Sequence, residues 1–494
     1  MLFSELSDSE ISHLLTLDAD ERSIVLENGF TKYGTSPFPI EVFHFGSCTG
    51  SSTILSSLQM LREHFGSYSM ETIRSIEFQQ KYWEEIRNRL FAVLDISNEE
   101  ANIVFTPSGT DAETMICEIM LHHSNKPLTN IVIAPLEVGS GTVLAAGGLR
   151  FSSITPDGDI GEIGSPINER VSKNVEVVRF SLRDVDGGLS NVETMPTRIL
   201  NEIDSAHESN RYVILHMVAG TKTGVHAPET VFLNEIEESQ MGDIIIVVDA
   251  AQGRFSRTGF REMISRGRIV ILTGSKFFGG PPFSGAIFVP KNIEIQEVWK
   301  DDMSVLFEQH CIPEQNESPF GESPRLGFFL RWCIAIDMIE RYYSIPKSSR
   351  TKILQWFEKD AQRIINESSI TDIVAKQKMS DGEISRVGFD RPILTIVTFR
   401  IIGSNGEFLT IHDLRTIHLH LMSKDVKYHL GQPVLLVPRE EIGALRIAIG
   451  GVLMRQLSKK LENGDADEEV GDYLSSLLLG VIQTIKDSIK ELGF

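Results

Sequence analysis

Between residues 102 and 290 the chain repeats one pattern: a short, nearly unbroken apolar run followed by a stretch with helical spacing. The runs are Ile103-Val104-Phe105, Asn130-Ile131-Val132-Ile133-Ala134, Val175-Glu176-Val177-Val178, Tyr212-Val213-Ile214-Leu215, Ile244-Ile245-Ile246-Val247-Val248, Ile269-Val270-Ile271-Leu272 and Ala286-Ile287-Phe288-Val289. A strand covered on both faces meets no water, so it has no reason to alternate apolar with polar positions. Runs of this kind separated by helices predict an α/β fold built on a mostly parallel seven-stranded sheet between two layers of helices.

The flanking regions read differently. Residues 1–40 suggest a short helix or two and a connector through Tyr33-Gly34-Thr35-Ser36-Pro37. Residues 54–94 carry apolar stripes at helical spacing, with Leu55, Leu58 and Leu61 and then Ile86, Leu90 and Val93. Loops are expected over 152–170 and 308–325, where Gly, Pro, Ser and Asp gather. A helix over 326–343 then leads into a second unit. Its expected strands are Ile393–Ile402, Val434–Val437 and Leu445–Ile449, with helices at 351–367, 410–423 and 470–492. At 494 residues the chain exceeds what one core organises. The expected division is an N-terminal segment (1–40), a large domain (41–325) and a smaller α/β C-terminal domain with its linking helix (326–494).

Composition narrows the partners. The net charge of -21 disfavours nucleic acid and anionic membrane, both polyanions. The four cysteines (Cys48, Cys117, Cys311, Cys333) have no paired spacing, and the start of the chain lacks a basic, then apolar, leader. Both features point to a reducing, cytoplasmic setting. The acidic run from Glu462 to Glu469 reads as a solvated loop.

The candidate chemistry sits at the ends of the apolar runs. One run closes on Asp249-Ala250-Ala251-Gln252, and another on Thr273-Gly274-Ser275-Lys276-Phe277-Phe278-Gly279-Gly280-Pro281-Pro282. A carboxylate and an amine at the tips of neighbouring strands are the two groups that pyridoxal 5'-phosphate needs. The acid keeps the pyridine nitrogen protonated and the amine forms the Schiff base. A third run ends at Thr106-Pro107-Ser108-Gly109-Thr110-Asp111, where small hydroxyls and free N–H groups at a helix start would hold a phosphate, though the same residues also make an ordinary cap. Gln252 can reach the cofactor's phenolic oxygen. After Leu215, the segment His216 to Val225 offers Thr221, Lys222 and Thr223 towards cofactor or substrate, Lys222 being a weaker Schiff-base candidate for want of the Gly-Gly-Pro-Pro turn. Phe45-Gly46-Ser47-Cys48-Thr49-Gly50 reads equally as a gating loop or a capped helix start. His418-Leu419-His420 reads as helix with two polar contacts. A dinucleotide enzyme is disfavoured, because Gly139-Ser140-Gly141 lacks the GxGxxG spacing.

In this order of motifs the chain resembles the aminotransferase class V branch of fold-type I pyridoxal-phosphate enzymes, which includes cysteine desulfurases, kynureninases and serine or phosphoserine transaminases. The resemblance covers roughly residues 40 to 494. It implies Lys276 and Asp249 as catalytic residues. It implies Ser108, Gly109, Thr110, Thr273 and Ser275 around the cofactor with Gln252, and Arg446, in Leu445-Arg446-Ile447-Ala448, on the substrate's carboxylate with Thr221 nearby. It further implies a homodimer in which the stretch Ser318–Leu326, with Ser323 and Arg325, completes a neighbour's phosphate site.

The departures are informative. Ser275 stands where desulfurases carry histidine. The segment Ala134 to Thr142 holds no histidine or aromatic to stack on the ring, so Glu137, Val138 or Ser140 would face it instead. Cys311 and Cys333 follow Lys276 too closely to supply a desulfurase nucleophile, and no cysteine comes after them. The expected function is therefore an amino-acid aminotransferase. The alternatives are a pyridoxal-phosphate C–X lyase and a non-catalytic binding subunit of the same fold.

Overall fold

The computed structural model describes residues 1–156, 158–239, 241–295, 325–374, 394–423 and 427–494. In chain order its strands are β1 (Phe43–Phe45), β2 (Ala101–Thr106), β3 (Leu128–Ile133), β4 (Val175–Phe180), β5 (Tyr212–Ala219), β6 (His226–Ala227), β7 (Ile244–Asp249), β8 (Ile269–Thr273), β9 (Gly285–Pro290), β10 (Thr371–Ile373), β11 (Ile396–Ile401), β12 (Tyr428–Val437) and β13 (Ile442–Ala448).

Each of the seven apolar runs lies in a strand of one sheet, ordered β2-β9-β8-β7-β5-β3-β4. Every pairing is parallel except those of β9, which runs antiparallel to both β2 and β8. The two-residue β6 adds an eighth member against β5, which the sequence pattern does not reveal. It is too short to carry periodicity, and the turn at Gly224 folds it back. β2, β3, β8 and β9 are almost wholly buried, whereas the edge strand β4 is mostly half-exposed. Continuous apolar runs follow from that double coverage.

A second sheet has the order β1-β12-β13-β11-β10. The expected strands appear as β11, β12 and β13, with Ile393 outside the described residues. β12 starts earlier than its apolar end suggests and absorbs Gly431 to Pro433 as a register irregularity. β1 joins this sheet in parallel to β12, Phe43 opposite Tyr428, so the chain visits the second sheet before building the first. Helices Leu326–Tyr343, Lys347–Glu367, Ile411–Ser423 and Asp467–Leu492 match the expected ones, and Gly451–Glu462 is an additional helix. The acidic run is only half loop: Asp467, Glu468 and Glu469 form the first turn of Asp467–Leu492, where carboxylates oppose the positive end of the helix dipole. Among the described residues no helix is long and apolar enough to cross a membrane.

Aromatic packing locks helix Leu326–Tyr343 against helix Ile76–Leu94 and the first sheet. Trp83 meets Phe105 at 4.8 Å between ring centroids, and Phe105 meets Trp332 at 4.7 Å. On the same helix Arg331 is fully buried and donates to the carbonyls of Leu15, Asp18 and Phe283. That arginine fastens the N-terminal segment beside the turn that follows Lys276. The fold therefore brings residues 15–33 to the edge of the candidate site, which their local sequence does not announce.

Candidate active site

The carboxyl ends of β5, β7 and β8 open into a cavity of about 490 Å³. Lys276 lies three residues past β8, Asp249 closes β7, and Lys222 lies three residues past β5. Because β7 lies between the other two in the sheet, Asp249 sits between the two lysines in strand order. Ser108, Gly109, Thr110, Asp249, Thr273, Ser275, Lys276 and Arg446 all line the cavity, as do Arg22, Tyr33, Cys48, Thr49, Ser140, Thr142, Lys222, Phe283 and His418. Gln252 and Thr221 do not.

The phosphate candidate is a helix N-terminus. Ser108 caps helix Gly109–Ser124, its Oγ accepting the N–H groups of Thr110 and Asp111, each at 3.2 Å. The same Oγ donates to Asp111 Oδ2 at 2.6 Å and accepts from Arg22 Nη2 at 3.2 Å. Arg22 is itself held by Asp20, and its guanidinium stands 5.1 Å from the centre of the Phe283 ring. Burial, with Asp20 nearby, raises the Asp111 carboxyl to about 6. Gly285 opens β9 directly beneath this turn. A Cβ there would stand 2.4 Å from Thr106 Oγ1 and 2.7 Å from the Ser108 carbonyl carbon, so only glycine lets the two strand ends approach. Thr273 donates to Ala251 O at 2.7 Å, which ties the end of β8 to the turn after Asp249.

The acid and the amine are free to act. Asp249 Oδ1 accepts the Ala251 N–H at 3.0 Å, and its other oxygen has no hydrogen bond among the described residues. Lys276 Nζ makes neither a hydrogen bond nor an ion pair there. The Gly279 N–H closes a turn on the Lys276 carbonyl at 3.2 Å, and Gly279 adopts a φ of 89°. Beyond the two prolines, Phe283 is held at a φ of 66°, a left-handed conformation that few aromatic residues adopt. Its carbonyl is gripped by Arg331 and its ring walls the cavity.

Two expected side chains are engaged elsewhere. Gln252 Nε2 donates to Cys48 O at 3.0 Å, tethering the β7 turn to the loop after β1. Thr221 Oγ1 donates to Glu137 Oε2 at 2.9 Å. Glu137 also accepts from Arg183 at 2.6 Å, and both side chains are buried, so Glu137 faces a structural network rather than the cavity. Of the three candidates to face the ring, Ser140 lines the cavity. The loop after β1 is a fixed wall: Arg254 holds Ser47 Oγ at 2.7 Å, and Thr49 Oγ1 accepts from Gln432 N at 3.0 Å. Arg446, on β13, donates through Nε to Gln432 O at 3.0 Å and through Nη2 to Thr49 Oγ1 at 3.1 Å. Cys117 and Cys333 are packed on helices, as expected. Ser323 and Cys311 lie outside the described residues.

Arg22, Tyr33 and His418 line the cavity although their local sequence suggests only a connector and a helix face. Arg22 carries the only usable signal, a lone Asp20-x-Arg22 pair in an otherwise featureless segment. His418 is neutral in its site, since burial beside His429 lowers it to about 4.

The residues present fit the expected cofactor. A carboxylate with one open oxygen, an unpaired amine and a capped helix start converge on one cavity, and Arg22 supplies a cation beside the helix start. No family model and no curated protein matches the chain. Solved structures do. A NifS-like protein superposes with a TM-score of 0.54 at 14% identity, over 90% of this chain and 100% of its own. The 4-hydroxyphenylacetaldehyde synthase of Rhodiola rosea gives 0.52 at 11%, over 91% and 83%. The apo cysteine desulfurase of Thermococcus onnurineus NA1 gives 0.51 at 16%, over 90% and 95%. At these identities the likeness establishes the fold: this chain has the α/β architecture of the fold-type I enzymes.

Proposed function

We propose that this chain is a pyridoxal-phosphate-dependent enzyme acting on an amino acid, and that its reaction is transamination. One observation carries the reading: Lys276 and Asp249, neither ion-paired among the described residues, border the same cavity as a helix N-terminus. When bound, the cofactor supplies an aldehyde that takes up the substrate amine and a ring that accepts electrons from its Cα bonds. Lys276 anchors the aldehyde and afterwards carries a proton to and from the substrate Cα. Asp249 holds the ring nitrogen protonated, and its open oxygen suits that contact. The start of helix Gly109–Ser124, with Ser108, Gly109, Thr110 and Thr273, receives the phosphate, and Arg22 adds a cation. Arg446 attracts the substrate's carboxylate. Transamination needs a single amine to move the proton, which Lys276 supplies, and no further acid for a leaving group.

Borohydride reduction followed by peptide mapping tests the anchor. Lys276 should carry the reduced pyridoxyl group, and labelling at another lysine or at none refutes the assignment. Mixing the loaded protein with single amino acids tests the reaction. A stoichiometric change to the pyridoxamine form with keto-acid release is expected, and continuous release of ammonia without amine transfer would replace transamination by elimination. The homodimer belongs to the same proposal, and full activity from a monomer in solution would remove it.

A further inference from the structure

The cavity carries more positive charge than the cofactor and one carboxylate consume. Among the described residues its lining cations are Arg22, Lys32, Lys222, Lys276, Arg415 and Arg446, against the single carboxylate Asp249. Arg22 is neutralised by Asp20, and Lys32 stands 3.8 Å from Glu21. Lys276 is taken up by the anchor. Arg446, Lys222 and Arg415 remain, and none of them has a carboxylate within ion-pairing distance among the described residues. Arg415 is exposed at the rim, whereas Arg446 is only 2% exposed.

Arg446 cannot present a free fork. Its Nε and Nη2 both turn to the Gln432 carbonyl, Nη2 also reaches Thr49 Oγ1, and Nη1 donates to Lys222 O at 3.3 Å. One Nη1 proton is left for a ligand. Lys222 complements it. Its backbone is pinned at both ends, the N–H donating to Glu137 O at 2.8 Å and the carbonyl accepting from Arg446. Its Nζ has no hydrogen-bond partner among the described residues. Burial, with Arg446 and Lys276 close by and Glu137 and Cys48 only partly offsetting them, lowers this amine to about 7. A half-buried amine beside two cations is unfavourable by itself and becomes favourable when an anion arrives.

We infer that Lys222 and Arg446 together form a two-cation receptor, and that the substrate is an amino acid with a second acidic group. This inference rests on the proposed function, since it needs Lys276 committed to the cofactor. One acidic group lies against Arg446 and the other against the Lys222 ammonium, on the flank of Asp249 opposite Lys276. The simplest such substrates are amino dicarboxylates. Lys222 is thereby a specificity-determining residue, separate from the covalent anchor.

The test uses amine-free probes on the cofactor-loaded protein. Glutarate and butyrate are titrated by calorimetry into the wild type and into Lys222→Met, with cofactor content measured in parallel. Glutarate should bind the wild type at least about tenfold tighter than butyrate, since it gains one charge-assisted contact. In Lys222→Met the preference should fall to about twofold or less, with cofactor content unchanged. Lys222→Gln should behave alike, so that a folding defect in one variant does not decide the matter. Equal affinities in the loaded wild type, or a glutarate preference undiminished in both variants, overturn this inference alone. A wild type that takes up no cofactor overturns the proposed function beneath it.

Discussion

Glu113 Oε2 stands 3.5 Å from His216 Nε2, and both side chains are at least 97% buried. They resemble an ion pair and are not one. Burial and the nearby charge of Asp249 push the Glu113 carboxyl well above its ordinary value, while burial lowers His216 to about 4. At neutral pH the imidazole is uncharged, and the acid facing it is biased towards its protonated form. Asp249 lies on the neighbouring strand, where it pairs in register with Val218, two residues beyond His216.

Glu113→Gln should therefore be tolerated. With its carboxyl raised, folded Glu113 keeps its proton to higher pH than the unfolded chain does, so the contribution of this one group to stability falls as pH rises beyond about 4.5. The amide has no such dependence. Thermal melts should place Glu113→Gln at or above the wild type at pH 7.5, with the margin shrinking towards pH 4.5. A variant much less stable at pH 7.5 would show that Glu113 is ionised.

Asp249→Asn should retain the cofactor but lose the charge that holds the ring nitrogen protonated. Removing one such preorganised electrostatic contact costs about 100-fold in turnover. Cofactor content within about twofold of wild type, with turnover reduced by that factor, is the expected pair of results; unchanged turnover would dismiss Asp249 from the chemistry.

Arg22→Met tests whether the N-terminal segment belongs to the phosphate site. The substitution removes the cation that bridges Asp20 and Ser108 and leaves Asp20 and Asp111 uncompensated. Cofactor affinity should fall about tenfold from the loss of one charge-assisted bond, and an unchanged affinity would exclude Arg22 from the phosphate site. Fluorescence titration of the apoprotein measures it directly.

Gly279→Ala should destabilise the turn behind Lys276. The position has a φ of 89°, and a Cβ would stand 2.3 Å from Val452 Cγ2. Steric overlap and backbone strain together should lower stability by about 2 kcal/mol or more in denaturant titrations.

The protein should be acid-sensitive well before its surface carboxylates titrate. Burial lowers His44 to about 3 and His216, His226 and His418 to about 4, from an ordinary value of 6.5. Between those limits the unfolded chain binds the protons and the folded chain does not. The stability is fully present above 6.5 and is lost as pH falls towards 4, at up to about 1.4 kcal/mol per pH unit for each ring. Melting temperatures between pH 7 and 5 that do not fall would contradict these neutral, buried rings.

The large sheet was legible because double burial writes itself into the chain as unbroken apolar runs, and the same runs located Asp249 and Lys276 at strand ends. A strand's polarity pattern depends on its own surroundings, so local sequence suffices. Strand order does not depend on local pattern. Only the tertiary structure put β7 between β5 and β8 and so flanked Asp249 with Lys222 as well as Lys276. Only it brought Arg22 beside Ser108, through Arg331's grip on the N-terminal carbonyls, and paired β1 with β12 from near the opposite end of the chain. It also turned Gln252 to the Cys48 carbonyl and Thr221 to Glu137, away from the cavity. Polar side chains go to whichever partner the fold delivers, and those partners lie far away in sequence. The chain alone thus marked which residues are candidates to hold a cofactor, and packing decided which of them line the cavity.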